Sequence, residues 1–129
     1  MITGAGGGVG VFAVQLAVRT GARVIALASE RHHVWLRERG AVPVAYGDGV
    51  SERITAAAKE MPVAAFIDLV GGGYVQVALE LGIARDRIDT IATGDIVVPI
   101  QRTYPLDDVR AAFTELEAGH IAGKIVLIP

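Results

Sequence analysis

The sequence contains no cysteine, which excludes a disulfide framework and a metal site built on thiolates. Its net charge of −2 at pH 7 gives no electrostatic reason to expect nucleic acid as a partner. No apolar run reaches the ~18 residues that a membrane-spanning helix needs, and no basic segment followed by an apolar run marks a signal peptide. We therefore expect neither nucleic acid nor a membrane as a partner, and a cytoplasmic location.

Histidine is the remaining candidate for a metal ligand, and the chain has 3 of them. His32 and His33 are adjacent in the sequence, and adjacent residues of a helix do not share a face. His120 lies far along the chain, in a predicted loop. We therefore predict no metal site.

Apolar residues are abundant: 52% of the 129 residues are hydrophobic and 20% are charged. These proportions and this length are typical of one globular α/β domain. We therefore predict a single domain over residues 1–129.

The most informative stretch is the N-terminal MITGAGGGVG, in which a short apolar segment runs into a glycine cluster and then into a helical pattern. The register Ala5-Gly6-Gly7-Gly8-Val9-Gly10 places alanine at the first position of G-x-G-x-x-G, Gly7 at the second and Gly10 at the third. Glycine at position 7 lets the chain approach a pyrophosphate at a helix N-terminus, and glycine at position 10 lets the helix pack closely on the strand. The alternative is a glycine-rich turn between strand and helix that holds no ligand.

Helical periodicity continues from the turn and predicts a first helix over residues 8–20. Its expected inward face consists of Val9, Phe12, Ala13, Leu16 and Ala17. Further helices are predicted over 30–39, with Trp35 and Leu36 inward, over 51–60, with Ile54, Ala57 and Ala58 inward, and over 74–81. Strands are predicted over 22–28, 41–46, 63–70 and 87–92. This alternation predicts a Rossmann-type three-layer αβα domain with a mostly parallel sheet and strand order 3-2-1-4-5.

The alternation breaks after Ala92, because only three residues separate the fifth strand from another strand pattern over 96–100. A parallel partner needs a crossover of about a dozen residues. Either the two strands are antiparallel, or a segment is missing between Ala92 and Thr93. The tail is regular again: a helix follows Pro105, with Leu106, Val109, Phe113 and Leu116 expected inward, and a last strand covers 125–128.

The end of the second strand bears on the choice of cofactor. An Asp or Glu here holds the ribose hydroxyls of NAD, but this sequence has Ala28, followed by Ser29, Glu30 and Arg31. A small residue, a hydroxyl and a guanidinium favour the 2′-phosphate of NADP(H). Glu30 opposes this prediction if it reaches back to the ribose, and Ser29 is equally well explained as the N-cap of the next helix.

Four further residues lie at or near the ends of predicted strands. Tyr46 follows the third strand and either flanks the adenosine or its 2′-phosphate, or is a plain edge aromatic. Val70 and Gly71 follow the fourth strand, next to the first, and are candidates for lining the nicotinamide. Asp68 is either a catalytic acid or, as is commoner for an acid within a strand, an acceptor for nearby backbone N–H groups.

Several separate motifs together resemble the cofactor-binding domain of medium-chain dehydrogenases/reductases, in particular the zinc-independent quinone oxidoreductase branch. The motifs are the turn Ala5–Gly10 followed by Val14-Gln15-Leu16-Ala17, then Gly40-Ala41 with Tyr46, then Asp68-x-Val70-Gly71-Gly72, and finally Tyr104-Pro105-Leu106 through Gly123-Lys124-Ile125-Val126-Leu127. They occur in the family's order over nearly the whole chain.

The resemblance implies an NADPH-dependent oxidoreductase that reduces quinones, enones or related carbonyl compounds, with a small-molecule substrate. Family members carry a GroES-like catalytic domain before this one and an extra segment between the positions of Ala92 and Thr93, and neither is found in this sequence. That segment contributes to the family's dimer sheet, so a homodimer is left open. No proton-relay constellation is visible, and we name no catalytic residue. A nucleotide-binding or redox-sensing module without turnover is the alternative.

The expected contacts to NADP(H) follow from these positions. They are Thr3, Ala5, Gly7, Gly8, Val9 and Gly10 in the glycine turn, Ser29, Arg31 and Tyr46 on one side of it, and Val70 and Gly71 on the other.

Overall fold

The computed structural model describes residues 1–90, 100–119 and 124–129. The chain divides into two compact units, Met1–Asp95 and Ile96–Pro129, which we describe separately. The predicted turn at 93–95 and most of the predicted strand over 96–100 lie outside the described residues, as does His120. The prediction of an antiparallel pair or a missing segment at Ala92 therefore stays a prediction.

The first unit alternates helices and strands from the glycine turn onward. Its elements are α1 (Gly10–Arg19), β1 (Ile25–Leu27), α2 (His33–Glu38), β2 (Val42–Val44), α3 (Val50–Ala58), β3 (Phe66–Asp68), α4 (Tyr74–Glu80) and β4 (Ile88–Thr90). One-turn 3₁₀ helices over Glu30–His32 and Arg85–Arg87 precede α2 and β4. Each predicted helix and strand of this unit is present, and β1, β2 and β3 are shorter than the predicted runs.

The strands form the predicted parallel order around Ile2. The Ile2 N–H donates to the Ile25 carbonyl at 2.9 Å, and its carbonyl accepts from the Leu27 N–H at 2.8 Å. On the other side, Ile2 forms a parallel bridge with Ile67 in β3. Because β1 pairs with β2 and β3 pairs with β4, both in parallel, the order is β2, β1, the Ile2 segment, β3, β4. In the numbering of the predicted strands this is 3-2-1-4-5, so the prediction is confirmed.

Helices cover both faces of this sheet, and the side chains of β1 point alternately into the two cores that result. Ala26 and its neighbours on one face pack with Val14 of α1 and Leu36 of α2. Ile25 and Leu27 on the other face pack with Ile54 of α3. Burying a side chain of this kind contributes about 1.5–3 kcal/mol. The two cores confirm the three-layer αβα architecture and the predicted inward residues of α2 and α3.

The predicted inward face of α1 is wrong for its large residues. Phe12 and Leu16 are 67% and 65% exposed, and Val9 is exposed as well, whereas Gly10 and Val14 are buried. The helix contacts the sheet through Gly10, so the small residues one and two turns later lie on the same side and its bulky residues point outward. Only Ala13 and Ala17 of the predicted stripe pack against the core.

The second unit is a parallel βαβ arrangement of β5 (Ile100–Pro105), a one-turn 3₁₀ helix (Leu106–Asp108), α5 (Val109–Glu117) and β6 (Lys124–Ile128). Strand β5 therefore extends beyond the predicted 96–100. The predicted inward stripe is again wrong: Phe113 and Leu116 are 58% and 53% exposed, and Ala112 is the buried residue of α5.

Candidate functional site

The glycine turn is fixed by one internal hydrogen bond and by hydrogen bonds to two neighbouring segments. The Ala5 N–H donates to the Leu27 carbonyl at 3.1 Å, and the Gly7 N–H donates to the Gly4 carbonyl at 2.9 Å. The Gly4 N–H donates to the Tyr46 hydroxyl at 2.8 Å. The turn is thus held in shape by the end of β1 and by Tyr46, which lies two residues after β2.

The turn presents unpaired donors where α1 begins. Among the described residues, the N–H groups of Gly8, Val9 and Gly10 have no backbone or side-chain acceptor. No side chain caps the helix, and its first turn carries no acidic residue. Gly7, Gly8 and Val9 are exposed. Free N–H groups and the positive end of the helix dipole form a seat for an anion such as a phosphate.

Gly10 allows the close contact between α1 and the strand end that the sequence predicts. A Cβ atom added at Gly10 would lie 2.0 Å from the Gly4 carbonyl oxygen and 2.7 Å from the Ala5 Cα. A Cβ at Gly7 would lie 3.2 Å from that same oxygen, and one at Gly8 would meet nothing within 4 Å. Gly10 is therefore required for packing, whereas Gly8 leaves open space above the turn.

The segment that follows β1 has one buried residue and then three exposed ones. Ala28 is buried, and Ser29, Glu30 and Arg31 are exposed. Ser29 occupies the N-cap position, where its backbone carbonyl accepts from the His32 N–H at 2.9 Å. Its hydroxyl makes no capping bond. The hydroxyl is therefore not used by the helix start and is free to meet a ligand.

His32 lies against the glycine turn, a contact that the sequence analysis missed. A Cβ atom added at Gly6 would lie 2.5 Å from Cδ2 of the His32 ring. The Arg31 Nε donates to the His32 Nε2 at 3.1 Å, so Arg31 is joined to the ring that packs on Gly6. His33 points elsewhere: its Nε2 lies 3.1 Å from the Ala28 carbonyl oxygen. A histidine after the strand and a glycine inside the turn are the two signals that could have suggested the contact.

Tyr46 stabilises the turn through two hydrogen bonds. Its hydroxyl accepts from the Gly4 N–H and donates to the Leu27 carbonyl, both at 2.8 Å. Its ring lies 5.6 Å from that of Tyr74, and burial raises the pKa of Tyr46. The hydroxyl thus joins the start of the glycine turn to the end of β1.

Asp68 is the centre of a buried polar network. Its Oδ1 accepts from the Thr3 hydroxyl at 2.5 Å and from the N–H groups of Val70 and Gly71 at 3.2 and 3.0 Å. Its Oδ2 accepts from the Thr90 hydroxyl at 2.9 Å. Asp68 is fully buried. The network ties the first strand segment, β3 and β4 together, which is the structural alternative predicted for this acid rather than catalysis.

The predicted contacts fall into two groups by exposure. Gly7, Gly8, Val9, Ser29, Arg31 and Val70 are exposed, and Tyr46 is half-buried; Thr3, Ala5, Gly10 and Gly71 are buried. Thr3 and Ala5 have no exposed surface in this conformation, and their contacts to a ligand stay a prediction. Val70 is brought to the turn, because a Cβ at Gly4 would lie 3.1 Å from its Cγ2.

In the described ranges, no group of three or more His, Cys, Asp or Glu side chains is arranged to hold a metal ion. No helix in those ranges is both long and apolar enough to cross a membrane.

Solved structures of similar fold include several oxidoreductases. The quinone oxidoreductase from Coxiella burnetii is 26% identical with a TM-score of 0.47, and the match covers 98% of this chain and 51% of that one. AibC is 25% identical with a TM-score of 0.56, and the match covers 99% of this chain and 51% of that one. The CurK enoyl reductase is 18% identical with a TM-score of 0.56, and the match covers 98% and 53%. The chain thus spans about half the length of these proteins.

Comparison with curated protein sequences finds no significant match. The family profile described as zinc-binding dehydrogenase matches residues 8–127, which include α1, the end of β1 and both later strand pairs. The chain belongs to the zinc-binding dehydrogenase family, within the medium-chain dehydrogenase/reductase superfamily.

Proposed function

We propose that this chain is the cofactor-binding part of an NADPH-dependent oxidoreductase that reduces quinones, enones or related activated carbonyl compounds. The observation that carries the proposal is the glycine turn, whose unpaired N–H groups lie at the start of α1. The segment after β1 contributes Ser29 and Arg31, and the segment after β3 contributes Val70 and Gly71. Such a turn at the carboxyl ends of parallel strands is the usual seat of a dinucleotide.

The residues present fit the cofactor in three places. Gly7, Gly8 and Val9 offer backbone donors or open space to the pyrophosphate, and Ser29 and Arg31 offer a hydroxyl and a guanidinium to the 2′-phosphate. Val70, which is 52% exposed, and the adjacent Gly71 offer an apolar edge to the nicotinamide. The cofactor supplies hydride transfer when bound, and the chain orients it.

The substrate class rests on the sequence motifs shared with the quinone oxidoreductase branch, and a homodimer and a cytoplasmic location are likewise proposals. Turnover is tested by following NADPH oxidation against a panel of quinones and enones. NADPH binding without turnover by any preparation would favour the non-catalytic nucleotide-binding or redox-sensing module.

Replacing Gly7 with valine is expected to abolish measurable NADPH binding, because branched carbons would stand where the pyrophosphate approaches the turn. Gly7 is exposed, and a Cβ there meets only the Gly4 carbonyl oxygen, at 3.2 Å. The fold should therefore survive the change. Fluorescence titration with NADPH measures the binding, and thermal unfolding checks the fold.

Gly7→Ala is the matched control, because it adds the strain at the Gly4 oxygen without the branched carbons. It should weaken binding less than Gly7→Val does. Unchanged NADPH affinity in a folded Gly7→Val protein would show that the pyrophosphate does not bind at this turn.

The unmutated protein is expected to bind NADPH more tightly than NADH. A charge-assisted hydrogen bond to phosphate is worth about 1.5–3 kcal/mol, which corresponds to about tenfold or more in affinity. Arg31→Ala should narrow the gap between the two cofactors, and Ala28→Asp should reverse it by adding an acid beside the ribose. Paired binding titrations at one fixed salt concentration measure the ratio.

Arg37→Ala is a suitable control, since it removes an exposed arginine from the last turn of α2 rather than from the helix start. It should leave the ratio unchanged. Equal affinities for both cofactors in the unmutated protein, or a preference for NADH, would indicate that Glu30 rather than Arg31 controls the site.

A further inference from the structure

The pair formed by Arg31 and His32 lies beside Gly6 of the glycine turn. The His32 ring lies so close to the turn that a Cβ at Gly6 would be 2.5 Å from its Cδ2 and 2.6 Å from its Cγ. Arg31, which is exposed, donates from Nε to the His32 Nε2 at 3.1 Å. A phosphate that meets Arg31 beside this turn therefore also meets the His32 ring.

The hydrogen bond within the pair requires a neutral imidazole. The guanidinium Nε always carries a hydrogen, so His32 Nε2 must be the acceptor, and a protonated imidazole has no acceptor nitrogen. Protonation of His32 would therefore end this bond and place two cations side by side. A histidine is the side chain that ordinarily changes charge between about pH 5 and 8.

The titratable neighbours of His32 in its own segment are Glu30, Arg31 and His33. Glu30 and Arg31 share its 3₁₀ helix, and the His33 ring that follows lies against the Ala28 carbonyl. The glycine turn that packs against the ring has no titratable side chain, and the first turn of α1 has no acid. An arriving phosphate would be the closest counter-charge for a protonated His32 on the side of the turn.

We propose that His32 makes the preference for NADP(H) over NAD(H) depend on pH, an inference that rests on the proposed function because it needs the 2′-phosphate at this site. At higher pH, neutral His32 accepts the hydrogen bond from the Arg31 Nε. That N–H of the guanidinium is then not available to a phosphate. At lower pH, protonated His32 releases the guanidinium and adds its own N–H donors. Both groups then bind the 2′-phosphate, and binding takes up a proton.

The test compares the ratio of the NADH and NADPH dissociation constants at about pH 6 and about pH 8, at constant ionic strength, in the unmutated protein and in His32→Gln. A phosphomonoester itself changes charge near pH 6, and the variant reports that contribution alone. The ratio should rise toward low pH about tenfold more in the unmutated protein than in His32→Gln, which corresponds to about 1.4 kcal/mol. Calorimetry in two buffers of different ionisation enthalpy should show greater proton uptake with NADPH than with NADH, and the difference should shrink in the variant.

His33→Gln is the matched control, because it removes the neighbouring imidazole and leaves the Arg31–His32 pair in place. It should keep the pH dependence of the unmutated protein. Parallel pH profiles for the unmutated protein and His32→Gln, with NADPH still preferred, would overturn this inference and leave the proposed function standing. No preference for NADPH at either pH would overturn both.

Discussion

Replacing Gly10 with alanine is expected to lower the free energy of unfolding by about 3 kcal/mol or more, and to weaken NADPH binding in whatever protein remains folded. The added Cβ would lie 2.0 Å from the Gly4 carbonyl oxygen and 2.7 Å from the Ala5 Cα, and both are backbone atoms that cannot rotate away. Helix α1 must therefore move off the sheet, whereas ordinary overpacking by a methyl group costs about 1–3 kcal/mol. Urea unfolding measures the loss.

Gly8→Ala tests whether this cost comes from the contact or from the loss of a glycine. Gly8 is exposed, and a Cβ there meets nothing within 4 Å. The free energy of unfolding of the Gly8→Ala protein should differ from that of the unmutated protein by no more than about 0.5 kcal/mol, as for substitutions at other open surface positions. If Gly10→Ala proved as stable as Gly8→Ala, the close contact between α1 and the strand end would be absent in solution.

The close contact at Gly10 also explains which part of the fold the sequence predicts and which part it does not. The order of the strands follows from crossover lengths and from the glycine turn, and these are local features of the sequence. The orientation of α1 follows from a contact between Gly10 and Gly4. The helical spacing of apolar residues instead predicts that Phe12 and Leu16 face the core. In α2, where Leu36 provides the buried contact, the same count identifies the correct face.

The candidate site shows the same limit. Ser29, Arg31 and Gly7 were predicted from their positions relative to a strand end, and all three are exposed in the structure. The roles of His32 and Tyr46 depend on contacts with Gly6 and Gly4, which lie more than twenty residues away along the chain. Spacing within a motif carries no information on such contacts, because they depend on how β1 and β2 are placed beside the turn.

Asp68 is a second position where the structure gives a specific reason for a large effect. It is fully buried, yet its two carboxylate oxygens accept hydrogen bonds from Thr3, Thr90 and the N–H groups of Val70 and Gly71. These donors belong to the two strand segments on either side of β3 and to the turn after β3. The same carboxylate thus stabilises the centre of the sheet and fixes the start of the glycine segment proposed to lie beside the nicotinamide.

Asp68→Ala is therefore expected to lower the free energy of unfolding by about 3–5 kcal/mol. A buried donor that loses its acceptor costs about 1–3 kcal/mol, and the Gly71 N–H is both buried and dependent on Asp68. Asp68→Asn keeps the shape and one carbonyl acceptor, and its amide can donate to the Thr90 hydroxyl, so it should lose about 1–2 kcal/mol less. Urea unfolding of both variants at one pH measures the difference. A loss below about 1 kcal/mol in Asp68→Ala would show that water replaces the carboxylate at little cost and that the strands are held together by their backbone ladder and apolar cores alone.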